Sequence, residues 1–278
     1  MSALAARLRQ LRMQSGQSQP PEATAAKPAL APDVLRLIQG RSRMQGVIPR
    51  AASSDRMVPG VEIASGLVLT EAIMAWGRPS PLIDTTFARW DEPVAHRRLL
   101  HFDTETTGLS GGTGTRAWMI GAADWLADGR FRVRQLTTTT MGAETAMLRT
   151  FAAWLQPDTV LVSYNGKCYD APLLKTRYRL ARLPDPLSGL GHLDLLHPVR
   201  RHWKGVWENC RLATAERELL GVVREDDLPG SEAPAAWLSF LRGGSALNLR
   251  RVLAHNNQDL KSLAGVLLHL ARLPQLRA

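Results

Sequence analysis

The sequence predicts an α/β fold in which a mixed sheet of five strands is flanked by helices. Three patterns support this prediction. Apolar segments of strand-like composition come first, a short Asp-Gly turn joins two of them, and strand and helix patterns then alternate along the chain. This order is typical of an antiparallel meander that continues into α/β units.

The meander is predicted from three segments. Residues 98–104 contain Leu99, Leu100 and Phe102 and run up to two carboxylates, which predicts a buried strand. Two further strands are predicted at 118–125 and 131–138, because an Ala-Asp-Gly turn sequence lies between them. We expect the three strands to be antiparallel neighbours.

Strands and helices alternate in the second half of the chain. The spacing of apolar residues at 144–155 predicts an amphipathic helix. A strand is predicted at 159–163, a helix at 172–180 and a short strand at 192–196. The remaining segments are predicted to be helical, at 212–220, 233–241 and 247–270.

Composition divides the chain into three parts. Residues 1–57 are predicted to be a basic, largely disordered arm, because segment 14–32 is dominated by Gln, Pro, Ala and Ser. Nine Lys or Arg and three Asp or Glu give residues 1–60 a net charge of +6. Residues 58–96 are expected to be an extension that packs on the main domain, which is predicted to cover 97–273.

Charge and cysteine content narrow the functional classes. The net charge of +10 favours a polyanion such as nucleic acid as a partner. The two cysteines, Cys168 and Cys210, form no CxxC pair, which excludes a disulfide framework or a cysteine-built zinc site and fits a reducing cytoplasm. No apolar run approaches the roughly 18 residues that span a bilayer, so no membrane partner is expected.

Acidic and imidazole side chains lie at the ends of several predicted elements. Asp103 and Glu105 alternate along a strand, so both point to the same face. Asp170 opens a helix after a glycine turn. His255 and Asp259 are four residues apart and share one face of the last helix.

Carboxylates are the ligands that Mg²⁺ and similar hard cations prefer. Two such ions about 3.5–4 Å apart activate a water and stabilise the leaving oxygen of a phosphodiester. Asp103, Glu105, Asp170 and Asp259 are sufficient for that arrangement, and His255 is suited to remove a proton from the water.

Each acidic segment also has a simpler explanation. An isolated Asp-x-Glu pair is usually solvated, Asp170 is a good helix N-cap, and a His and Asp four apart usually make a polar contact along a helix. Asp194, in the short strand, is explained as a turn or cap residue. The joint occurrence of these segments in a basic protein favours the metal site. The glycine run at 108–114 lacks the Lys-Ser/Thr of a P-loop and leads into a strand.

Three motifs resemble those of the DEDD-type 3′→5′ exonucleases, which have the ribonuclease H-like fold. The motifs are FDTETTGL, NGKCYD and HNNQD. Longer segments, including LSGGTGTRAWMIG and LVSYNGKCYDAPLL, resemble the bacterial YprB-type family, which is similar to the proofreading domain of family B DNA polymerases. The resemblance covers residues 97–273.

The resemblance implies roles for individual residues. Asp103, Glu105, Asp170 and Asp259 correspond to the metal-binding carboxylates, and His255 corresponds to the general base. One departure is that His255 precedes Asp259 by four residues, whereas the histidine-type subgroup has five. The resemblance also implies a set of residues that border the substrate, namely Thr106, Gly108, Leu109, Asn165 and Tyr169.

Other polar and aromatic residues have open roles. In the connecting segment 216–232, Asp226 and Asp227 are predicted to be structural acids, with metal-facing groups as the alternative. Trp203 and Trp207 either stack on bases or belong to the core. Six basic residues are candidate phosphate contacts or simply solvated, namely Lys167, Arg177, Arg200, Arg201, His202 and Lys204.

The sequence thus predicts a cytoplasmic 3′→5′ exonuclease that uses two Mg²⁺ or Mn²⁺ ions on single-stranded DNA or RNA ends. A structure-selective endonuclease on the same fold is one alternative, and a nucleic-acid-binding module with weak or no catalysis is another. The intact set of four carboxylates favours an enzyme, because a non-catalytic protein has no need for carboxylates that repel one another.

Overall fold

The computed structural model describes residues 53–77, 79–108, 113–225 and 227–273. The predicted basic arm at 1–57 therefore lies almost entirely outside the described residues, as do Leu109, Asp226 and the middle of the glycine run. None of the helices in the described residues is long and apolar enough to cross a membrane.

Nine strands occur in the described residues. In chain order they are β1 (Val61–Ala64), β2 (Leu67–Met74), β3 (Leu82–Ile83), β4 (Val94–Ala95), β5 (Leu99–Thr106), β6 (Ala117–Trp125), β7 (Phe131–Thr138), β8 (Val160–Ser163) and β9 (Gly191–Asp194). Seven of them form one sheet in the order β1-β2-β7-β6-β5-β8-β9, and β3 pairs with β4 separately.

The predicted meander is confirmed. Strands β5, β6 and β7 are antiparallel neighbours, and β6 is buried along nearly its whole length. The turn between β6 and β7 closes with a 2.8 Å hydrogen bond from the Leu126 amide to the Arg130 carbonyl. Gly129 has a φ of 85° in this turn, a conformation that glycine adopts without steric strain.

The α/β units are also confirmed. Strand β8 lies parallel to β5, and β9 lies parallel to β8. Parallel neighbours need crossover connections, and helices supply them here. The carboxyl ends of β5, β8 and β9 consequently lie at the same edge of the sheet, which is where parallel sheets commonly form their sites.

The fold class is confirmed, but the main sheet has seven strands rather than five. Strand β2 pairs with β7 along its full length, and β1 adds to β2 at the sheet edge. The pairing satisfies backbone groups that β7 would otherwise expose. Residues 67–74 are mostly apolar. Buried and exposed positions alternate clearly only in the second half of β2, so the sequence of this strand carries only a weak strand pattern.

Helices cover both faces of the main sheet. They are α1 (Glu144–Ala152), α2 (Asp170–Leu180), α3 (Leu196–Trp203), α4 (Leu212–Ala215), α5 (Ala233–Leu241) and α6 (Leu247–Leu270). Adjacent residues of β5 enter opposite cores. Leu99 packs in the core that contains Leu263 of α6, and Leu100 packs in the core that contains Phe151 of α1. Helix α3 was not predicted, whereas the other helices agree with the sequence patterns.

Candidate active site

Three elements bring the predicted acids to one edge of the sheet. Asp103 and Glu105 lie in the second half of β5, and Asp170 is the first residue of α2, shortly after β8 ends. Asp259 projects from α6, which packs against β5. Glu105 is 8% exposed, and the other three are partly buried.

The four carboxylates interact electrostatically. Burial raises the pKa of Asp103 well above its ordinary value, and the charges of Asp259, Asp170 and Glu105 raise it further. Burial also raises the pKa of Glu105 to about 8, with the charge of His255 opposing the rise, and the pKa of Asp170 to about 6. Carboxylates gathered in a desolvated place hold their charge poorly without a compensating cation.

Protein donors already bind three of the four carboxylates. Asp103 accepts a 2.8 Å hydrogen bond from Asn256, Asp170 accepts one from the Thr104 hydroxyl, and Asp259 accepts one from Arg224. Over the described ranges, no three His, Cys, Asp or Glu side chains converge closely enough to form a ready-made metal-binding cluster. The donor set is nonetheless of the right chemistry for Mg²⁺ or Mn²⁺, because every member is a carboxyl group that offers oxygen ligands.

His255 contacts an acid with each ring nitrogen. Its Nε2 lies 3.3 Å from Oδ2 of Asp259, as expected for residues four apart on a helix. Its Nδ1 lies 2.7 Å from Oδ1 of Asp227. Burial lowers the pKa of His255, but the hydrogen bond and charge of Asp259 and the hydrogen bond of Asp227 outweigh it and raise that pKa to about 9. The two carboxylates thus favour the protonated ring, whereas the charge of Arg224, whose Nη1 lies 3.1 Å from Nδ1, opposes it.

Arg224 lies in the connecting segment and links the acids around His255. Its guanidinium donates to Glu216 through Nε at 2.8 Å and through Nη2 at 2.5 Å. It also donates to Asp259, and its Nη1 lies 3.4 Å from Asp227. Burial lowers the pKa of Arg224, but Glu216 and Asp259 outweigh burial and raise it.

Sequence reasoning missed Arg224 and Glu216. Glu216 is 1% exposed and begins a π-helical turn, Glu216–Leu220, that follows α4. Such turns often occur near functional sites. The helical segment ends at Leu220, with Gly221 in the left-handed conformation, so no local pattern in the sequence connects Glu216 with Arg224. Asp227 was predicted to be a structural acid, and the structure shows it in contact with His255.

Asp194 holds the loop that leads to Asp170. Its Oδ1 accepts hydrogen bonds from the backbone amides of Asn165 and Leu196, at 2.7 and 3.1 Å, and its Oδ2 accepts one from the Lys167 amide at 3.0 Å. The explanation of Asp194 as a turn or cap residue is therefore confirmed. Asn165 has a φ of 68°, a conformation that Asn tolerates better than most residues.

A cavity of about 420 Å³ opens beside Asp103 and Asp170. Tyr169 on its wall is 58% exposed. Four of the five residues that the resemblance assigned to the substrate line this cavity, namely Thr106, Gly108, Asn165 and Tyr169. The fifth, Leu109, lies outside the described residues.

Two other sequence hypotheses have clear outcomes. Arg177 is 6% exposed and forms hydrogen bonds of 2.6 and 2.7 Å with Glu144, so neither alternative, a phosphate contact or a solvated side chain, fits it. Trp203 and Trp207 stack on each other with ring centroids 4.6 Å apart and pack against the core. Their position agrees with the core alternative.

Comparison with known proteins supports the assignment of the fold. A family model described as RNase_H superfamily matches residues 100–271, which is more than half of the chain. The chain is also 38% identical over 206 residues to YprB of Bacillus subtilis (strain 168), a protein described as uncharacterized. That alignment covers 73% of this chain and 48% of YprB, so the chain spans about half the length of this relative.

Proposed function

The chain belongs to the RNase H superfamily, a membership that indicates a nuclease, and on that premise we propose that it is a metal-dependent 3′→5′ exonuclease acting on single-stranded nucleic acid ends. One observation carries the proposal. Four carboxylates from three different elements are gathered beside a cavity lined by Thr106, Asn165 and Tyr169. Such a site offers cation ligands and room for a terminal nucleotide side by side.

The carboxylates are proposed to hold two Mg²⁺ or Mn²⁺ ions. Asp103, Glu105, Asp170 and Asp259 supply only oxygen donors, and their mutual repulsion in a desolvated site is relieved by positive charge. When bound, divalent cations neutralise charge on a phosphodiester and make a coordinated water more acidic. The net charge of +10 favours binding of a polyanionic substrate.

His255 is proposed to accept the proton of the attacking water at Nε2. Asp227 lies at Nδ1, which orients the ring and keeps the proton on that nitrogen. Because the pKa of His255 is about 9 while Asp259 is beside it, Nε2 becomes a base only when other groups engage the charge of Asp259. His255 is therefore expected to act as a base only when cations and substrate occupy the site.

A nucleic-acid-binding module with weak or no catalysis is the second candidate. It is favoured by the contact of Arg224 with Asp259, which supplies positive charge to that carboxylate without any metal. The two candidates differ in whether a divalent cation can take the place of Arg224 at Asp259. The cytoplasmic location remains a proposal that rests on two free cysteines, Cys168 and Cys210.

End-blocked oligonucleotides test the proposal directly. Single-stranded DNA and RNA with an open or a blocked 3′ end are labelled at the 5′ end and incubated with the protein and Mg²⁺ or Mn²⁺. Stepwise shortening from an open 3′ end is the expected result. An Asp103→Asn protein serves as the matched control for contaminating nucleases.

The same assay separates the alternatives. Cleavage of substrates with a blocked 3′ end would contradict exonuclease action and support a structure-selective endonuclease. Tight binding without cleavage, measured by fluorescence anisotropy in either metal, would support the binding module. Equal cleavage by the wild-type and Asp103→Asn proteins would refute the assignment of the site.

A further inference from the structure

The pairing of β5, β6 and β7 leaves a space without a side chain on the sheet surface next to Asp103. Asp103 of β5 pairs with Gly121 of β6, and Gly121 pairs with Gln135 of β7. Directly paired residues project from the same face of a sheet, and neighbouring strands lie about 4.8 Å apart, so Asp103 and Gln135 are about 10 Å apart on one face. Because glycine has no side chain, the position between them is open.

Asn256 of α6 fills this gap. Its side chain is 0% exposed and lies directly over Gly121. Its Nδ2 donates to Oδ2 of Asp103 at 2.8 Å, and its Oδ1 accepts from Nε2 of Gln135 at 2.9 Å. A Cβ atom at position 121 would lie 2.1 Å from Oδ1 of Asn256, which is sterically impossible, so the contact requires glycine.

A backbone carbonyl determines the direction of the linked hydrogen bonds among Gln135, Asn256 and Asp103. The Leu253 carbonyl can only accept, and it receives a 2.8 Å hydrogen bond from Nε2 of Gln135. The same Nε2 therefore has its second hydrogen for Oδ1 of Asn256. Asn256 must then present its NH₂ group to Asp103, and the reversed amide would place an oxygen against the carboxylate.

We propose that Asn256 is a positioning residue for Asp103, and that Gln135 sets the orientation of Asn256. Asn256 holds Oδ2 of Asp103 with a neutral donor, which leaves Oδ1, without a hydrogen bond among the described residues, free to bind a divalent cation beside the neighbouring acids. The inference rests on the proposed function, because it assumes that Asp103 binds a cation.

Calorimetric titration of Mn²⁺ without substrate tests this role. Asn256→Leu keeps the approximate volume but removes the donor, and Gln135→Met removes only the group that orients Asn256. Loss of a partner that orients a metal ligand typically weakens metal binding by about 10–100-fold. We expect that loss for Asn256→Leu and a smaller weakening for Gln135→Met, because Asn256 can then turn its amide.

Thr138→Val is the matched control. Thr138 lies on β7, is 2% exposed, and donates a buried 3.0 Å hydrogen bond to the Trp118 carbonyl. The control variant should lose thermal stability but keep the wild-type Mn²⁺ affinity. A purely structural role for Asn256 would lower the thermal stability of its variant in the same way and leave the affinity unchanged.

The outcomes separate this inference from the proposed function. Wild-type Mn²⁺ affinity in a folded Asn256→Leu protein would overturn the inference alone, and if that variant does not fold, wild-type affinity in Gln135→Met would overturn it instead. A wild-type protein that binds no Mn²⁺ would overturn both. Weakened Mn²⁺ binding in the variants, with no cleavage of any oligonucleotide by the wild type, would refute the exonuclease while supporting the role of Asn256.

Discussion

Asp103 and Asp259 face the same site, but the protein holds them in opposite ways. The partner of Asp103 is Asn256, a neutral amide that is itself held between a helix and a sheet. The partner of Asp259 is Arg224, a full positive charge on a segment without regular secondary structure. The first contact orients one proposed metal ligand, and the second neutralises the other.

This difference predicts two kinds of cation binding at one site. A neutral donor leaves Asp103 without a positively charged protein partner, so a cation adds to an existing arrangement. A guanidinium already satisfies the charge of Asp259, so a cation has to exchange with Arg224 there. The Asp103 side is therefore expected to be rigid, whereas the Asp259 side is expected to change when the site is filled.

Neutralising either acid should have the largest effect. We expect Asp103→Asn and Asp259→Asn each to lower the cleavage rate by at least about 100-fold, the upper end of the loss seen when only a partner of a metal ligand is removed. Single-turnover cleavage of a 5′-labelled oligonucleotide with an open 3′ end measures this. Activity that survives in one variant alone would show that only the other acid is a ligand.

Removing the proposed base should have the next largest effect. His255→Ala is expected to lower the cleavage rate by about 10²–10⁴-fold, the usual contribution of a general base, and to change Mn²⁺ affinity less. Asp227→Asn should have a smaller effect in the same direction, because the ring remains but loses the charge beside Nδ1. A wild-type rate in His255→Ala would exclude this histidine as the base.

Removing Arg224 tests whether the charged contact competes with a cation. Arg224→Met leaves Glu216, which is 1% exposed, as an unpaired buried charge. Breaking such a pair typically costs about 3–5 kcal/mol of the free energy of unfolding. Added Mg²⁺ should then stabilise the variant more than the wild type, because stabilisation by a ligand increases with the logarithm of its affinity. Equal stabilisation of both proteins, measured by thermal unfolding, would contradict the exchange at Asp259.

The two neutralising substitutions should also differ in stability without added metal. Asp259→Asn should lower the free energy of unfolding by about 1–3 kcal/mol, because it weakens the partner of a largely buried guanidinium, 12% exposed. Asp103→Asn should raise the melting temperature, because it removes repulsion from three neighbouring acids and keeps an acceptor for Asn256. Chemical denaturation and calorimetry measure both, and shifts of the same sign would remove the contrast.

A partly buried histidine away from both acids gives a baseline for acid unfolding. Burial lowers the pKa of His192 from 6.5 to about 4, and its Nε2 lies 2.7 Å from the Ser163 hydroxyl. The unfolded chain binds this proton first, so stability should fall as pH drops from 6.5 toward 4, by at most about 1.4 kcal/mol per pH unit. His192→Gln should flatten that part of the stability curve, measured by urea unfolding at each pH.

The sequence predicted what depends on local periodicity. The hairpin at 118–138 and the long helix α6 follow from strand alternation, a turn sequence and helical spacing. The same patterns placed Asp103, Glu105 and Asp170 at element ends and Asp259 on one face of the last helix, which is why the amino-acid sequence alone was enough to group these acids.

What the sequence did not predict depends on contacts that no local pattern of residues encodes. Arg224 and Glu216 meet through an irregular segment, and Gln135 meets Asn256 across 121 positions. Arginine is a residue type that often binds phosphate, and only the structure shows that Arg177 pairs with Glu144 instead. Strand β2 shows the same limit, because its sequence pattern is weak and the strand is defined by its pairing with β7.

Gly121 also determines where an entire helix lies. The absent side chain lets α6 approach the sheet closely enough for Leu260 as well as Asn256 to pack over this position, since a Cβ atom there would be 2.8 Å from Leu260 Cδ1. His255 and Asp259 are part of the same helix, so their distance from β5 depends on one missing methyl group. Gly121, a residue without a side chain, thus determines how far His255 and Asp259 lie from the sheet.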